Sequence, residues 1–214
     1  MFKSHQPFAP EAVPGKCSET VGAMEDSQCS CPNCPVKWRR VLHLVRDGRD
    51  VMCSYYHFRK GLGNLEPNNM SFEDFLDAKL YPGYSWADHV GSYLGLEGNE
   101  SFDVLTVKYE DLHANTRDSL VKIAKWAGLD HGEDIITRAI ERSSFARMRQ
   151  KEDATGLRIF DELYPHRDTQ WRLTRKGKAG GWEECFRTQE TKEKWNAVAM
   201  TTLRQLGYAE TPEW

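Results

Sequence analysis

The residues best suited to chemistry begin at Val45-Arg46-Asp47-Gly48-Arg49-Asp50, where a guanidinium ends an apolar, β-branched run and stands just before an acid–glycine turn. Such a turn presents helix N-terminal amides, Arg46 can fork onto two oxygens, and Ser54 can add a hydroxyl from the following helix. The chemistry is phosphate binding. A β–turn–α unit also accommodates an arginine that only pairs with Asp47 or Asp50, so both readings stand at this point. A second basic focus, Thr174-Arg175-Lys176-Gly177-Lys178-Ala179-Gly180-Gly181-Trp182, combines cations with glycines that let backbone approach an anion closely. Its plainer alternative is a solvated basic loop. Ser143-Ser144-Phe145-Ala146-Arg147-Met148 offers hydroxyls beside an aromatic ring and a thioether, which suits either a nucleotide surface or a helix junction. At the amino end, Lys3-Ser4-His5-Gln6-Pro7 places an imidazole next to an ammonium. His5 could accept a proton from a hydroxyl near working pH, or be one of seven ordinary histidines.

Positioning these groups requires alternating strands and helices. Val41 to Val45 reads as a buried strand feeding a helix that runs past Phe58. Ser71, with Asp74 three residues on, predicts a capped helix start, and a further helix is expected over Trp86 to Leu96. Phe102 to Tyr109 alternates and predicts a second strand ending in Tyr109-Glu110-Asp111. Asn115 or Thr116 should cap a helix whose Leu120, Ile123, Ala124 and Ala127 share one face. Helices near 133–142 and 188–206 complete an α/β pattern with a parallel sheet covered on both sides. Residues 9 to 37, rich in Pro, Gly, Ser, Cys and acid, read as an irregular insert, with the ordered domain resuming at Lys37.

The 214 residues fit one well-filled domain, 1–214. A net charge of −3 argues against nucleic acid as the main partner, so any anion site is local. There is no run of eighteen apolar residues and no export-type leader, so the expectation is a soluble chain with no membrane partner. Six cysteines, three of them within Cys29-Ser30-Cys31-Pro32-Asn33-Cys34, form no disulfide framework for a domain this large and point to reduced thiols. Cys17, Cys29, Cys31 and Cys34 could supply four thiolates to zinc, but the Cys29 to Cys31 spacing is tight and no second paired motif exists. A thiol-bearing loop without metal is expected.

Taken together, these segments in this order resemble the cytosolic sulfotransferase family. The resemblance rests on Lys3-Ser4-His5-Gln6-Pro7, Val45-Arg46 through Ser54-Tyr55-Tyr56-His57-Phe58, Ser85-Trp86-Ala87-Asp88-His89-Val90, Tyr109-Glu110-Asp111, Ser143-Ser144-Phe145 and Arg175 through Trp182. It covers residues 1 to about 186 apart from the insert. It implies transfer of a sulfuryl group from 3′-phosphoadenosine 5′-phosphosulfate to a hydroxyl or amine of a small acceptor, on a fold related to P-loop nucleotide-binding proteins. By position, Arg46 and Ser54 would hold the donor's 3′-phosphate with Arg175, Lys176 and the Gly177 amide. Tyr109 would line the nucleotide pocket, and Ser143, Ser144, Phe145 and Met148 would lie along the adenosine, with Ser143 where the family more often has Thr. His5 would be the general base, and Lys3 would stabilise charge on the transferring group.

The family opens on a strand and a loop of the type Pro-Lys-Ser-Gly-Thr-Thr-Trp that carries the donor's 5′-phosphate. Only four residues precede His5, and Pro14-Gly15-Lys16-Cys17-Ser18 lacks the preceding strand such a loop needs. The expectation is an N-terminally truncated fold that keeps the 3′-phosphate half of the donor site and lacks the 5′ half, as a truncated gene model, a fragment or an isoform without activity would. A non-catalytic module binding adenosine 3′,5′-bisphosphate or a protein partner is the alternative, and a kinase-like phosphotransferase fits less well without a Walker lysine. After the glycine loop, Trp182 to Gln189 departs from the Lys-to-Thr-Val-to-Glu dimer motif of many members, so that contact is not expected and the oligomeric state stays open. A cytosolic address follows if Met1 is the true start. Acceptor loops would be residues 9–37, about 61–70 and 150–170, and the aromatics Tyr81, Tyr84, Phe160 and Tyr164 permit an aromatic or sterol-like acceptor without demanding one.

Overall fold

In the computed structural model, which describes residues 40–65, 69–79, 85–99, 102–129 and 131–214, strand β1 (Arg40–Val45) pairs in parallel with β2 (Asp103–Lys108). The register runs from Arg40 opposite Asp103 to Val45 opposite Lys108, and the parallel sense is the one that alternating strands and helices predict. Side chains alternate along β1, so His43 and Val45 are buried while Leu42 and Leu44 are exposed, Leu44 at 53%. The expectation of a strand buried on both faces is therefore met on one face among the described residues.

That covered face meets helix α1 (Gly48–Gly61), α2 (Phe72–Asp77), α3 (Trp86–Leu94) and the long α9 (Gln189–Gln205). Val45, Met52, Cys53, Phe75, Leu76, Trp86, Trp195, Ala199 and Leu203 form one continuous core between them. Packing at the start of α1 is tight enough to require glycine. A Cβ on Gly48 would lie 2.7 Å from the Trp195 ring and closer still to Trp86. The predicted cap operates at α2, where Ser71 accepts the Asp74 amide at 3.1 Å, and α3 has a further one, a reciprocal capping box of Ser85 and Asp88. Asn115 takes the N-cap position of α5 (Thr116–Ala127) without a side-chain cap bond, and Leu120, Ile123, Ala124 and Ala127 all turn at least partly inward.

Three helices depart from the sequence reading. Tyr109-Glu110-Asp111 does not extend β2 but opens α4 (Tyr109–Ala114), where two acids in the first turn favour the positive end of the helix dipole. Ser144 caps α7 (Phe145–Thr155), which follows α6 (Glu133–Ser143), and α8 (Arg158–Leu163) occupies part of the span expected to be an acceptor loop. Helix α7 has good helix formers but no apolar period, which is why it is invisible to periodicity. It is anchored by a polar group: Glu152 is buried and accepts the Leu173 and Thr174 amides at 2.8 and 3.0 Å, together with the Thr174 hydroxyl. Those hydrogen bonds hold its carboxyl below the ordinary range although burial alone would raise it. Among the described residues no helix is long and apolar enough to cross a membrane.

Candidate anion site

The turn between β1 and α1 is fixed before any ligand is considered. Asp47 caps α1 by accepting the Arg49 amide at 2.9 Å, and the Arg49 guanidinium closes back on the same carboxylate at 2.6 Å. Arg49 also reaches the Tyr208 carbonyl at 2.9 Å and packs against the rings of both Trp182 and Trp214, 4.4 and 4.6 Å from their centroids. From α4, Glu110 accepts the Asp47 amide at 3.1 Å and the Tyr208 hydroxyl at 2.7 Å. Asp47 and Arg49 are thus committed to structure.

Arg46 is placed differently. Its Nη2 donates to Asp50 Oδ2 at 3.2 Å and to the Lys178 carbonyl at 3.1 Å, and its guanidinium carbon sits 4.6 Å over the Tyr109 ring. Of the two carboxylates considered as partners, Asp50 is the one it meets. Asp50 in turn accepts the Gly180 amide at 2.7 Å, so Arg46 and Asp50 together clamp the glycine loop onto the start of α1. The Arg46 Nε–H is buried and has no hydrogen-bond partner among the described residues. A charged donor left unmet in this way costs stability unless an acceptor arrives.

The glycine loop supplies the other cations. Arg175 and Lys176 both donate to Glu184, the former at 2.7 Å. Burial would raise the Glu184 carboxyl, yet the hydrogen bonds from Lys176 and Arg175 hold it below its usual value. Ser54 and Arg175 line one pocket of about 90 Å³ together with His57, Phe58 and Trp171. His57 reaches Glu184 at 3.3 Å, and burial, then the nearby Arg175, keeps its imidazole below the ordinary histidine range. Gly177 has φ +59°, and a Cβ there would come within 2.7 Å of the Phe145 ring, so this turn needs glycine twice over. Its carbonyl bonds His113 Nε2 at 2.7 Å.

The structure therefore brings Arg46, Tyr109, the glycine loop and Phe145 into one neighbourhood, and Ser54 with Arg175 into another beside it. Phe145 and Met148 are exposed at the start of α7, and the Ser144 hydroxyl accepts the Arg147 amide while donating to the Glu141 carbonyl. The Ser143 hydroxyl donates back to the Ala139 carbonyl of its own helix at 2.7 Å. His5, Lys3 and the cysteines at 17, 29, 31 and 34 lie outside the described residues.

Glu184 and His113 escaped sequence reasoning. A carboxylate eight or nine positions after a basic pair carries no local signal, because the turn that folds it back is irregular. The reading of reduced thiols also requires correction, since Cys53 and Cys185 form a disulfide with Cα atoms 5.8 Å apart. The two sit on α1 and beside the 3₁₀ turn Trp182–Glu184, 132 residues apart in sequence, a proximity that cysteine counting could not reveal.

Residues 36–207 match the family described as the sulfotransferase domain. Amine sulfotransferase of Oryctolagus cuniculus is 26% identical over 168 residues, 77% of this chain and 54% of that protein. Sulfotransferase 1A1 of Mus musculus is 30% identical over 151 residues, 69% of this chain and 50% of that protein. The chain thus spans about half the length of these curated relatives. Among solved structures, retinol dehydratase in complex with androsterone and inactive cofactor PAP aligns with a TM-score of 0.63 at 25% identity, over 77% of this chain and 47% of that one. Mouse sulfotransferase SULT7A1 complexed with PAP aligns at 0.60 and 22% identity, over 79% and 60% of the two chains.

Proposed function

Because the chain belongs to the sulfotransferase domain family, we propose that its basic cluster binds the 3′-phosphate side of 3′-phosphoadenosine 5′-phosphosulfate. On this reading the whole protein transfers the sulfuryl group to a hydroxyl or amine of a small acceptor. The observation that carries it is the buried, unmet Nε–H of Arg46 beside a loop that holds Arg175, Lys176 and the Gly177 amide. The donor set is entirely cationic or hydrogen-donating, which suits a dianionic phosphate.

In the proposed complex Arg46 gives its free Nε–H to a phosphate oxygen while Asp50 keeps its Nη2 oriented. Ser54 and Arg175 meet the same group from the neighbouring pocket, and Lys176 balances its second charge. Tyr109 and Phe145 supply flat surface to the nucleoside, with Ser143, Ser144 and Met148 along its edge. The bound donor supplies the electrophilic sulfur. His5 takes the proton of the attacking acceptor group, and Lys3 balances charge developing on the transferring oxygens.

Titration of the purified chain with adenosine 3′,5′-bisphosphate by calorimetry tests the binding half, and heat indistinguishable from adenosine alone would sink it. Radiolabelled sulfuryl transfer to phenols, sterols, amines and sugars tests the rest. Binding without turnover would leave a bisphosphate-binding module.

A further inference from the structure

We propose that Cys53, His57, Glu184 and Cys185 form a zinc site once the Cys53–Cys185 bond is reduced. Each residue offers one ligand atom, and all of these atoms lie within 4.8 Å of one another. Glu184 Oε1 is 3.3 Å from both Cys53 Sγ and His57 Nε2, and His57 Nε2 is 3.9 Å from Cys185 Sγ. Tetrahedral zinc with bonds of about 2.3 Å to sulfur and about 2.0 to 2.1 Å to nitrogen or oxygen has ligand–ligand edges of about 3.3 to 3.8 Å. Three edges of the polyhedron are thus already near their working length.

The placement is a built one. Cys53 and His57 stand four residues apart on one face of α1, the spacing by which a helix offers two ligands to one metal. Glu184 and Cys185 are consecutive at the end of the 3₁₀ turn, so two short rigid elements supply two ligands each. Cys53 and Cys185 are buried, at 1% and 7% exposure, and His57, which lies 3.9 Å from Cys185 Sγ, also lines the pocket it shares with Arg175. The imidazole is kept neutral by burial and by Arg175, as a metal ligand must be. Two thiolates and a carboxylate around a dication leave one net negative charge, and Arg175 and Lys176, both already bonded to Glu184, stand ready to neutralise it. Lys176 holds the other oxygen, Oε2, and so orients the carboxylate from behind, the role that outer partners play at zinc centres, while Arg175 donates to Oε1 itself.

Opening the site is a two-electron step. A phosphine reductant attacks one sulfur, the S–S bond breaks, and the phosphorus leaves as phosphine oxide carrying the oxygen of one water. The two protons of that water end on the two sulfurs. Zinc then displaces both thiol protons to solvent and binds two thiolates, the neutral imidazole and one carboxylate oxygen.

The test uses the full chain with Cys17, Cys29, Cys31 and Cys34 all replaced by Ser, so that no thiol remains in the amino-terminal segment. After reduction with a phosphine, incubation with zinc sulfate and gel filtration, elemental analysis should find about one zinc per chain, as for a closed four-ligand site. The unreduced protein should hold none. Cobalt(II) in place of zinc should give thiolate charge-transfer and tetrahedral ligand-field absorption. Cys185→Ser should lower the charge-transfer absorption to that of one thiolate, and Glu184→Gln, which keeps the shape of the side chain, should weaken zinc by about tenfold or more. A reduced chain that leaves the column free of zinc overturns the proposal. So does zinc retained equally by wild type, Cys185→Ser and Glu184→Gln. Every readout is metal and none is nucleotide, so this inference and the sulfuryl-donor reading fail separately.

Discussion

Replacing Arg46 with Ala probes the site and the fold at once, and the structure separates the two effects. In the proposed complex the guanidinium adds its free Nε–H to a phosphate oxygen, a charge-assisted hydrogen bond whose removal typically costs about 1.5 to 3 kcal/mol. A central value of about 2 kcal/mol weakens binding of adenosine 3′,5′-bisphosphate about 30-fold. The same substitution leaves Asp50, whose side chain is only 2% exposed, with the Gly180 amide as its remaining partner described here. Because Arg46 itself is a quarter exposed, the loss of fold stability should fall near about 1 to 3 kcal/mol and not at the level of a fully buried pair. Calorimetry with the nucleotide reads the first effect, and urea unfolding without nucleotide reads the second. Adding Asp50→Asn to Arg46→Ala removes the stranded charge, so stability should recover while affinity stays low. Arg46→Lys, which keeps charge but loses the fork, should bind between wild type and Arg46→Ala. Wild-type affinity in a folded Arg46→Ala protein would refute the assignment. Full recovery of affinity in the double variant would show that Arg46 acts only by neutralising Asp50.

Other perturbations follow from the same geometry. Arg49→Ala strands the buried Asp47 carboxylate and removes the guanidinium from the faces of Trp182 and Trp214, so urea unfolding should show a loss of about 3 to 5 kcal/mol. Gly177→Ala forces a side chain into a positive φ and against the Phe145 ring, so nucleotide affinity should drop about tenfold or more, with little change in global stability because the loop is at the surface. His43, stacked on Tyr93, has its pKa lowered from 6.5 to about 4 by burial and by His89, against a smaller upward pull from Glu97. The unfolded chain therefore takes up a proton that the native state refuses. Stability should decline as pH falls from about 6.5 and level off below about 4, by up to about 3 kcal/mol, and His43→Phe should flatten that part of the profile.

How much of this was legible in the sequence depended on whether a signal was local. The β1–turn–α1 unit was legible because strand, turn and helix start follow one another in ten residues, and Ser71 announced its helix by the acid three positions later. Helix α7 was not, because Glu152 secures it through hydrogen bonds to residues more than twenty positions away. The cations Arg46, Arg175 and Lys176 were legible as types in basic segments. Their carboxylate partners were less so: Glu184 reads as one acid among many until the chain turns back, while Asp50 was one of two acids beside Arg46 and only the fold chooses it over Asp47. The pairing of Cys53 with Cys185 ran against a composition rule that holds for whole domains and says nothing of one close approach.

The carboxylates beside the cluster have a consequence for selectivity. Three cations, Arg46, Arg175 and Lys176, already have Asp50 and Glu184 as tethered partners. A covalently tethered competitor acts at an effective concentration that no buffer salt matches. Chloride or a simple monoanion therefore gains little by entering, since it must win each cation from a carboxylate that never diffuses away. A phosphate that carries two charges and reaches the unmet Arg46 Nε–H adds a bond the tethered groups do not make. The cluster is in this sense pre-loaded, and its ligands are chosen by what they offer beyond charge.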